Sequence, residues 1–227
     1  FPTRRSSDLM RIKKKSPEVY EALEAAGMDS KVSKKVKDIF NGNILMDGTR
    51  GQVHMNEVIE LVNDMFEDVM NKGPIAGEPS FGVKVTLHDM TLHEDSIHRG
   101  PAQVYPAVRE GIREAMRHAK PMLFEPVQVL QFESPNTYMG EISKLLSAKR
   151  GQMQDMQTEG EFVVIRGKMP VGEMFGLSNE LRSGTEGRAS FYVVDQKFER
   201  LPDELQARIT QIIRSRKGLK DEVVEEQ

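Results

Sequence analysis

"LFEPVQVLQFESPNTYMGEISKLLSAKRGQMQDMQTEG", residues 123–160, is one strand–helix–strand unit written out in full. Apolar residues alternate through "LFEPVQVLQFES" (123–134), fall at helical spacing in "YMGEISKLLSAKR" (138–150), and give way to a more polar strand and turn in "GQMQDMQTEG" (151–160). The succession then begins again. "EFVVIRGKMP" (161–170) reads as a strand, "VGEMFGLSNELRSGTEG" (171–187) holds a helix with Met174, Phe175 and Leu181 turned inward, and "RASFYVVDQKFERLP" (188–202) is the last strand. Two such units in series give four antiparallel strands with two helices on one face, the split βαβ or ferredoxin-like arrangement.

Working outward, Lys120 and Pro121 mark a domain boundary, so this domain spans 121–201. Beyond it, "DELQARITQIIRSRKGL" predicts a helix that ends basic, and "KDEVVEEQ" an acidic, mobile tail; together they make up 202–227. Upstream, 10–120 forms a second domain. Val19, Leu23 and Ala26, then Val32, Val36, Ile39 and Phe40, fall at helical spacing around Gly27 and predict two short helices. Lys13 to Lys15 is a charge run read as a solvated face, and "NGNILMDGTRGQ" places turn residues around a brief apolar run. Met55, Val58, Ile59, Val62, Met65, Phe66, Val69 and Met70 then make a broad helical stripe, with Glu57, Glu60, Asp64 and Asp68 on the other side. "GVKVTLHDM" begins a strand in which Val83, Val85 and Leu87 alternate with polar residues. A second helix starts at Pro101 with Gly100 as its N-cap, and Val104, Val108, Ile112, Ala115 and Ala119 carry its core stripe. Residues 1–9, "FPTRRSSDL", have neither amphipathic period nor signal-peptide core and read as non-native or disordered.

Composition narrows the function. At 227 residues the chain can bury a real core, and its formal net charge of -3 excludes nucleic-acid or membrane binding by bulk charge. There are no cysteines, which excludes disulfides, zinc ribbons and thiol nucleophiles and fits a reducing, cytoplasmic setting. No apolar run approaches the ~20 residues needed to span a bilayer.

The chemistry is concentrated in "LHEDSIHRGPAQ", residues 92–103. His88, His93 and His98 recur every five residues, a spacing that converges the rings on neither a strand nor a helix, so no metal is expected. No nucleophile signature accompanies the acids, so no catalytic residue is assigned, and without G-x-x-x-x-G-K-[ST] the chain has no nucleotide-phosphate loop. The loop immediately precedes a helix N-terminus, whose free N–H groups attract phosphate, and Arg99 adds a fixed charge with bidentate reach. An RNA-facing His98 and a plain polar loop histidine are equally compatible with these features.

"NILMDGTRGQVHMNEVIELV", "HDMTLHEDSIHRGPAQVYPAVR", "EMFGLSNELRSGTEGRASF" and "RSRKGLK", in that order, resemble the C-terminal part of the elongation factor 2 family of ribosomal translocases in its archaeal form. The resemblance runs from about residue 40 to 220. It implies an α+β chain of two α/β two-layer sandwich domains. The first is ribosomal-protein-S5-domain-2-like, the family's fourth domain, truncated with its first strand missing; the second, ferredoxin-like, is its fifth. It also implies that His98 is the histidine converted to diphthamide, and that His93, Glu94, Asp95, Ile97, His98, Arg99 and Gly100 form a tip that enters the small-subunit decoding site and contacts tRNA and mRNA, with Asp95 and Arg99 shaping the loop. Gly140, Lys144, Lys149 and Arg150 are the residues expected to meet GTPase-centre ribosomal RNA. The expected partners are the ribosome and the diphthamide-synthesising enzymes, for a monomeric cytoplasmic protein.

The family's GTPase domain, which binds GTP and magnesium, and its second and third domains would precede Met10. GTP hydrolysis is therefore not expected of this chain alone, and a lost strand would leave an open sheet edge in 10–120, less stable than 121–201. Two other classes compete: an independent RNA-binding or regulatory ferredoxin-like module, and a histidine metalloenzyme.

Overall fold

The computed structural model describes residues 17–49 and 55–219, so readings that fall on 1–16, on 50–54 and on the acidic tail from Lys220 lie outside the described residues. They divide into two units: one ends at Pro121 and resumes at Ile209, the other is Met122–Arg208.

In the first unit β1 (Val36–Phe40) and β2 (Asn43–Asp47) form an antiparallel hairpin, and β2 pairs in parallel with β3 (Lys84–Leu87) across the helix α3 (Met55–Asn71). The helix expected over Val32–Phe40 is corrected. α1 (Pro17–Ala25) forms, but α2 is a single turn, Ser30–Ser33, capped by Asp29, whose side chain accepts the Lys31 N–H at 2.8 Å. Val36, Ile39 and Phe40 belong to β1 instead. The deciding signal is Asn41-Gly42: both residues are left-handed (φ 49° and 76°), the backbone a tight two-residue hairpin requires. The coincidental helical spacing of Val32, Val36 and Ile39 loses to that turn and to the Ile39–Ile44 pair it brings into register.

β2 alternates between two cores. Leu45 packs against α3 and against α4 (Pro101–His118), while Ile44 and Met46 face Val19 and Leu23 of α1. The apolar stripe of α3 is buried throughout, as its period requires. On α4, Val104, Val108, Ile112 and Met116 are buried. Ala115 and Ala119 are exposed, because the buried face advances in strict four-residue steps that reach Met116. Asn43, fully buried, replaces missing ladder bonds: its amide donates to the Phe40 carbonyl at 3.0 Å and the Ser80 carbonyl at 2.8 Å, and its side-chain oxygen accepts the Val83 N–H at 3.0 Å.

In the second unit β4 (Phe124–Pro135), β5 (Gln152–Glu159), β6 (Phe162–Pro170) and β7 (Ser190–Arg200) form one sheet in the order β5-β6-β4-β7, every pair antiparallel. This is the split βαβ topology read from the repeat. Helices α5 (Met139–Ala148) and α6 (Leu177–Gly184) cover one face, burying Leu130, Phe132, Val163, Ile165 and Met169 under Ile142, Leu146, Leu177 and Leu181. Gly151 lets Leu146 close on the sheet: a Cβ there would lie 2.8 Å from the Leu146 carbonyl oxygen. Phe175 does not join this core. The left-handed Gly176 (φ 78°) turns the chain so that Leu177, not Phe175, begins the buried face, and Phe175 is 95% exposed. After β7 comes α7 (Asp203–Arg216), whose first turn carries Gln206; its side chain accepts the Leu123 N–H at 2.8 Å and donates to the Leu123 and Leu201 carbonyls.

Two outcomes follow from these contacts. Asn43→Ala leaves one part-buried N–H and two carbonyls without these partners, and an unpaired group costs about 1–3 kcal/mol when desolvated, so chemical denaturation should show a loss of about 2 kcal/mol. In the second unit, hydrogen bonds from Lys168 (2.7 Å) and Lys197 hold the Glu199 carboxyl below its ordinary pKa. A carboxyl lowered in the folded state stabilises above its unfolded pKa, and that contribution disappears as pH falls through the lowered value. Thermal melts across the acid range should therefore show a shallower fall for Glu199→Gln than for the parent chain.

Candidate functional site

The segment between β3 and α4 ends in a single 3-10 turn, Ser96–Arg99. Asp95 caps its N-terminal end twice: its carboxylate accepts the Ile97 N–H at 3.0 Å and its carbonyl accepts the His98 N–H at 3.1 Å. The Asp95 N–H in turn donates to Nδ1 of His93 at 3.0 Å, which places the His93 proton on Nε2 in the neutral ring. The His93 and His98 rings then meet edge to face, with centroids 4.5 Å apart and planes at 67°. Their five-residue spacing converges on no regular element, but the tight turn folds the chain back and brings the pair together. His88, at the end of β3, is exposed. No group of three or more His, Asp or Glu among the described residues could hold a metal ion.

Arg99 is turned inward, although the sequence groups it with the outward-facing tip. It is 8% exposed, and its guanidinium donates from Nε (3.0 Å) and Nη2 (2.8 Å) to one carboxylate oxygen of Glu57, and from Nη1 to the carbonyls of His93 (2.8 Å) and Glu94 (2.6 Å). One side chain thus clamps both strands of the loop to the first turn of α3. Of the two roles expected for Arg99, this geometry is that of shaping the loop rather than of meeting phosphate. The acidic residues of α3 extend the clamp: Asp64 accepts the Tyr105 hydroxyl at 3.0 Å and Asp68 pairs with Arg109 at 3.2 Å. The shared four-residue step, 64/68 against 105/109, was the available sequence signal for this seam.

What remains outward is His93, Glu94, Asp95, Ile97 and His98, with Ile97 77% exposed and Gly100 half-buried. Free donors at the start of α4 are few. Pro101 has no N–H, and those of Gln103 and Val104 are bonded to the Gly100 carbonyl. The outward face of 93–100 therefore shows two carboxylates, two imidazoles and one apolar side chain, and no fixed cation.

The second group of expected contact residues lies on and after α5. Gly140 is exposed, with open space where a Cβ would be. Lys144 is 78% exposed and only 4.0 Å from Glu141. Lys149 and Arg150 are committed: Lys149 pairs with Glu180 at 2.9 Å, and Arg150 bonds Glu125 (3.1 Å) and faces Glu173 (3.7 Å). The hydrogen bond to Glu125 raises the Arg150 pKa further above its already high value. Phe175, whose apolar character suggested core, is exposed instead, with its carbonyl accepting a hydrogen bond from Lys149.

Residues 9–120 match the family model for elongation factor G, domain IV, and residues 122–218 that for the elongation factor G C-terminus. The chain belongs to the elongation factor G and elongation factor 2 family. It is 46% identical over 211 residues to elongation factor 2 of Methanococcus maripaludis, a match covering 92% of this chain and 29% of that protein. Elongation factor 2 of Thermococcus kodakarensis is 45% identical over 201 residues, covering 88% and 28%, and that of Methanocaldococcus jannaschii 43% identical over 216 residues, covering 95% and 30%. The chain thus spans under a third of the length of these elongation factors, and the clamped loop lies within the domain IV match.

The clamp makes a concrete prediction. Arg99→Lys keeps a charge but loses the planar fork that meets a carboxylate and two carbonyls together. Amide hydrogen exchange over residues 93–99 should accelerate, with a stability loss of about 2 kcal/mol, while exchange in the second unit stays unchanged.

Proposed function

We propose that this chain is the C-terminal part of an elongation factor 2 translocase whose domain IV tip, led by His98, enters the small-subunit decoding site and promotes the GTP-dependent movement of tRNA and mRNA. The observation that carries this reading is an exposed His98 at the apex of a turn fixed by a buried arginine, in a chain that matches the family over both units. A probe that acts by position rather than bond-breaking needs stiffness at its point, and the clamp supplies it. The work is then steric and electrostatic, opposing backward movement of the codon–anticodon pair.

Conversion of His98 to diphthamide by the family's modifying enzymes fits the same geometry. The loop presents carboxylates and no fixed cation, so a cationic extension on His98 would add both reach and the charge that an RNA neighbour favours. Ribosomal RNA of the GTPase centre is the partner assigned to the second unit. Of its four expected contacts, Lys144 keeps its charge most accessible, whereas Lys149 and Arg150 hold the local structure. GTP and its magnesium belong to the family's GTPase domain, and no residue of this chain is assigned to them. A monomeric, cytoplasmic setting accompanies the role. Among the described residues no helix is long and apolar enough to cross a membrane.

Mass analysis of the peptide containing His98, taken from the full-length protein in its own cells, tests the reading. A diphthamide adduct on His98 is expected. An unmodified peptide from cells that modify other substrates of the same enzymes would refute the assignment of His98.

A further inference from the structure

The loop before α6 spends several interactions on holding one aromatic ring in water. Met174 and Leu177 pack into the core of the second unit, and Phe175 between them is 95% exposed. Its backbone is fixed. Lys149, whose side chain is only 12% exposed, donates from Nζ to the Phe175 carbonyl at 3.2 Å while pairing with Glu180 at 2.9 Å. The Leu177 N–H bonds the Met174 carbonyl at 3.1 Å, and the Glu180 N–H bonds the Gly176 carbonyl at 3.0 Å. Gly176 takes the left-handed conformation, and a Cβ there would lie 3.1 Å from the Glu180 carboxylate. A lysine, a carboxylate and an obligatory glycine therefore set the direction of Phe175, which makes no core contact in return.

We propose that Phe175 is a base-stacking anchor for RNA, holding an unstacked base against its ring. The proposal rests on the reading that the second unit meets ribosomal RNA, and names a contact residue within that surface. Both faces of a ring so exposed are open to a flat partner. Among its neighbours on the loop, Gly172, Glu173, Gly176 and Ser178 carry no apolar side chain, Val171 and Met174 are half-buried and Leu177 is buried, so no apolar neighbour along the chain is fully exposed beside the ring. A protein pocket that takes an aromatic anchor is ringed by contacts that exclude water, whereas a base needs only the ring face and tolerates a solvated border. No side chain stands at Gly172, three residues before the ring, where a Cβ would meet open space, and Lys144 on α5 keeps its ammonium exposed for a phosphate.

The test is co-sedimentation of the chain with purified archaeal large ribosomal subunits, using Phe175→Ala, Phe175→Leu and Phe175→Trp. Because the side chain touches no core, all three should melt with the parent chain. Stacking is worth about 1–3 kcal/mol per base, so Ala and Leu should weaken binding about tenfold, while Trp retains it. Chemical probing of the ribosomal RNA should show one base protected by the parent and by Phe175→Trp but reactive with Phe175→Leu, other protections persisting. Leu binding as well as Phe would mean an apolar protein pocket and overturn the proposal. Ala binding as well as Phe would overturn it too, while leaving the ribosomal reading intact. Failure of the parent chain to sediment with the subunits would refute the RNA reading of this unit, and the anchor with it.

Discussion

A buried guanidinium must find partners for its donors, and the loop before α4 is shaped by how Arg99 finds them. Glu57 supplies the opposite charge, and two carbonyls from successive residues of the loop take the donors of Nη1. Removing any partner would leave a desolvated donor, so the loop's path and the first turn of α3 are specified together. The 3-10 turn, the Asp95 cap and the meeting of His93 with His98 all lie within that constraint. A loop that could have been a loose connection becomes a rigid projection, supported along its base by Tyr105–Asp64 and Arg109–Asp68.

The second unit solves a different problem with similar means. Its sheet is specified by repetition and alternation, and charged side chains then lock its connections. Arg150 ties the end of α5 to β4 through Glu125, Lys168 of β6 and Lys197 of β7 meet at Glu199 of β7, and Lys149 sets the loop that carries Phe175. Basic residues that looked available for a partner are thus divided between framework and surface, and burial tells which is which. Lys149 at 12% side-chain exposure belongs to the framework, Lys144 at 78% to the surface.

Much of this was legible in the residues. The strand–helix–strand repeat, the α3 stripe, Pro101 at the first position of α4 and the position of the loop before it all follow from local periodicity and capping, where neighbours in sequence are neighbours in space. The readings that failed depended on competition between local signals or on distant partners. Val36 to Phe40 satisfied a helical spacing, but Asn41-Gly42 made a hairpin the better use of the same residues. Phe175 satisfied the rule that large apolar residues go inside, until a left-handed glycine one position later shifted the register by two. Arg99 turned inward because of a carboxylate 42 residues away, which no pattern within the loop discloses.

The clamp also fixes the electrostatics of the tip. Arg99 lies next to Gly100, the N-cap of α4, and bonds Glu57 in the first turn of α3, so the N-termini of two helices, 17 and 18 residues long, are held together beneath the same loop. Each aligned stack of peptide dipoles presents roughly +0.5 of a charge at that end. Glu57 offsets part of it, and the remainder biases the field beneath an outward face that has no fixed cation. That bias is carried by the backbone. It does not titrate, and it persists through any side-chain substitution that leaves both helices in place.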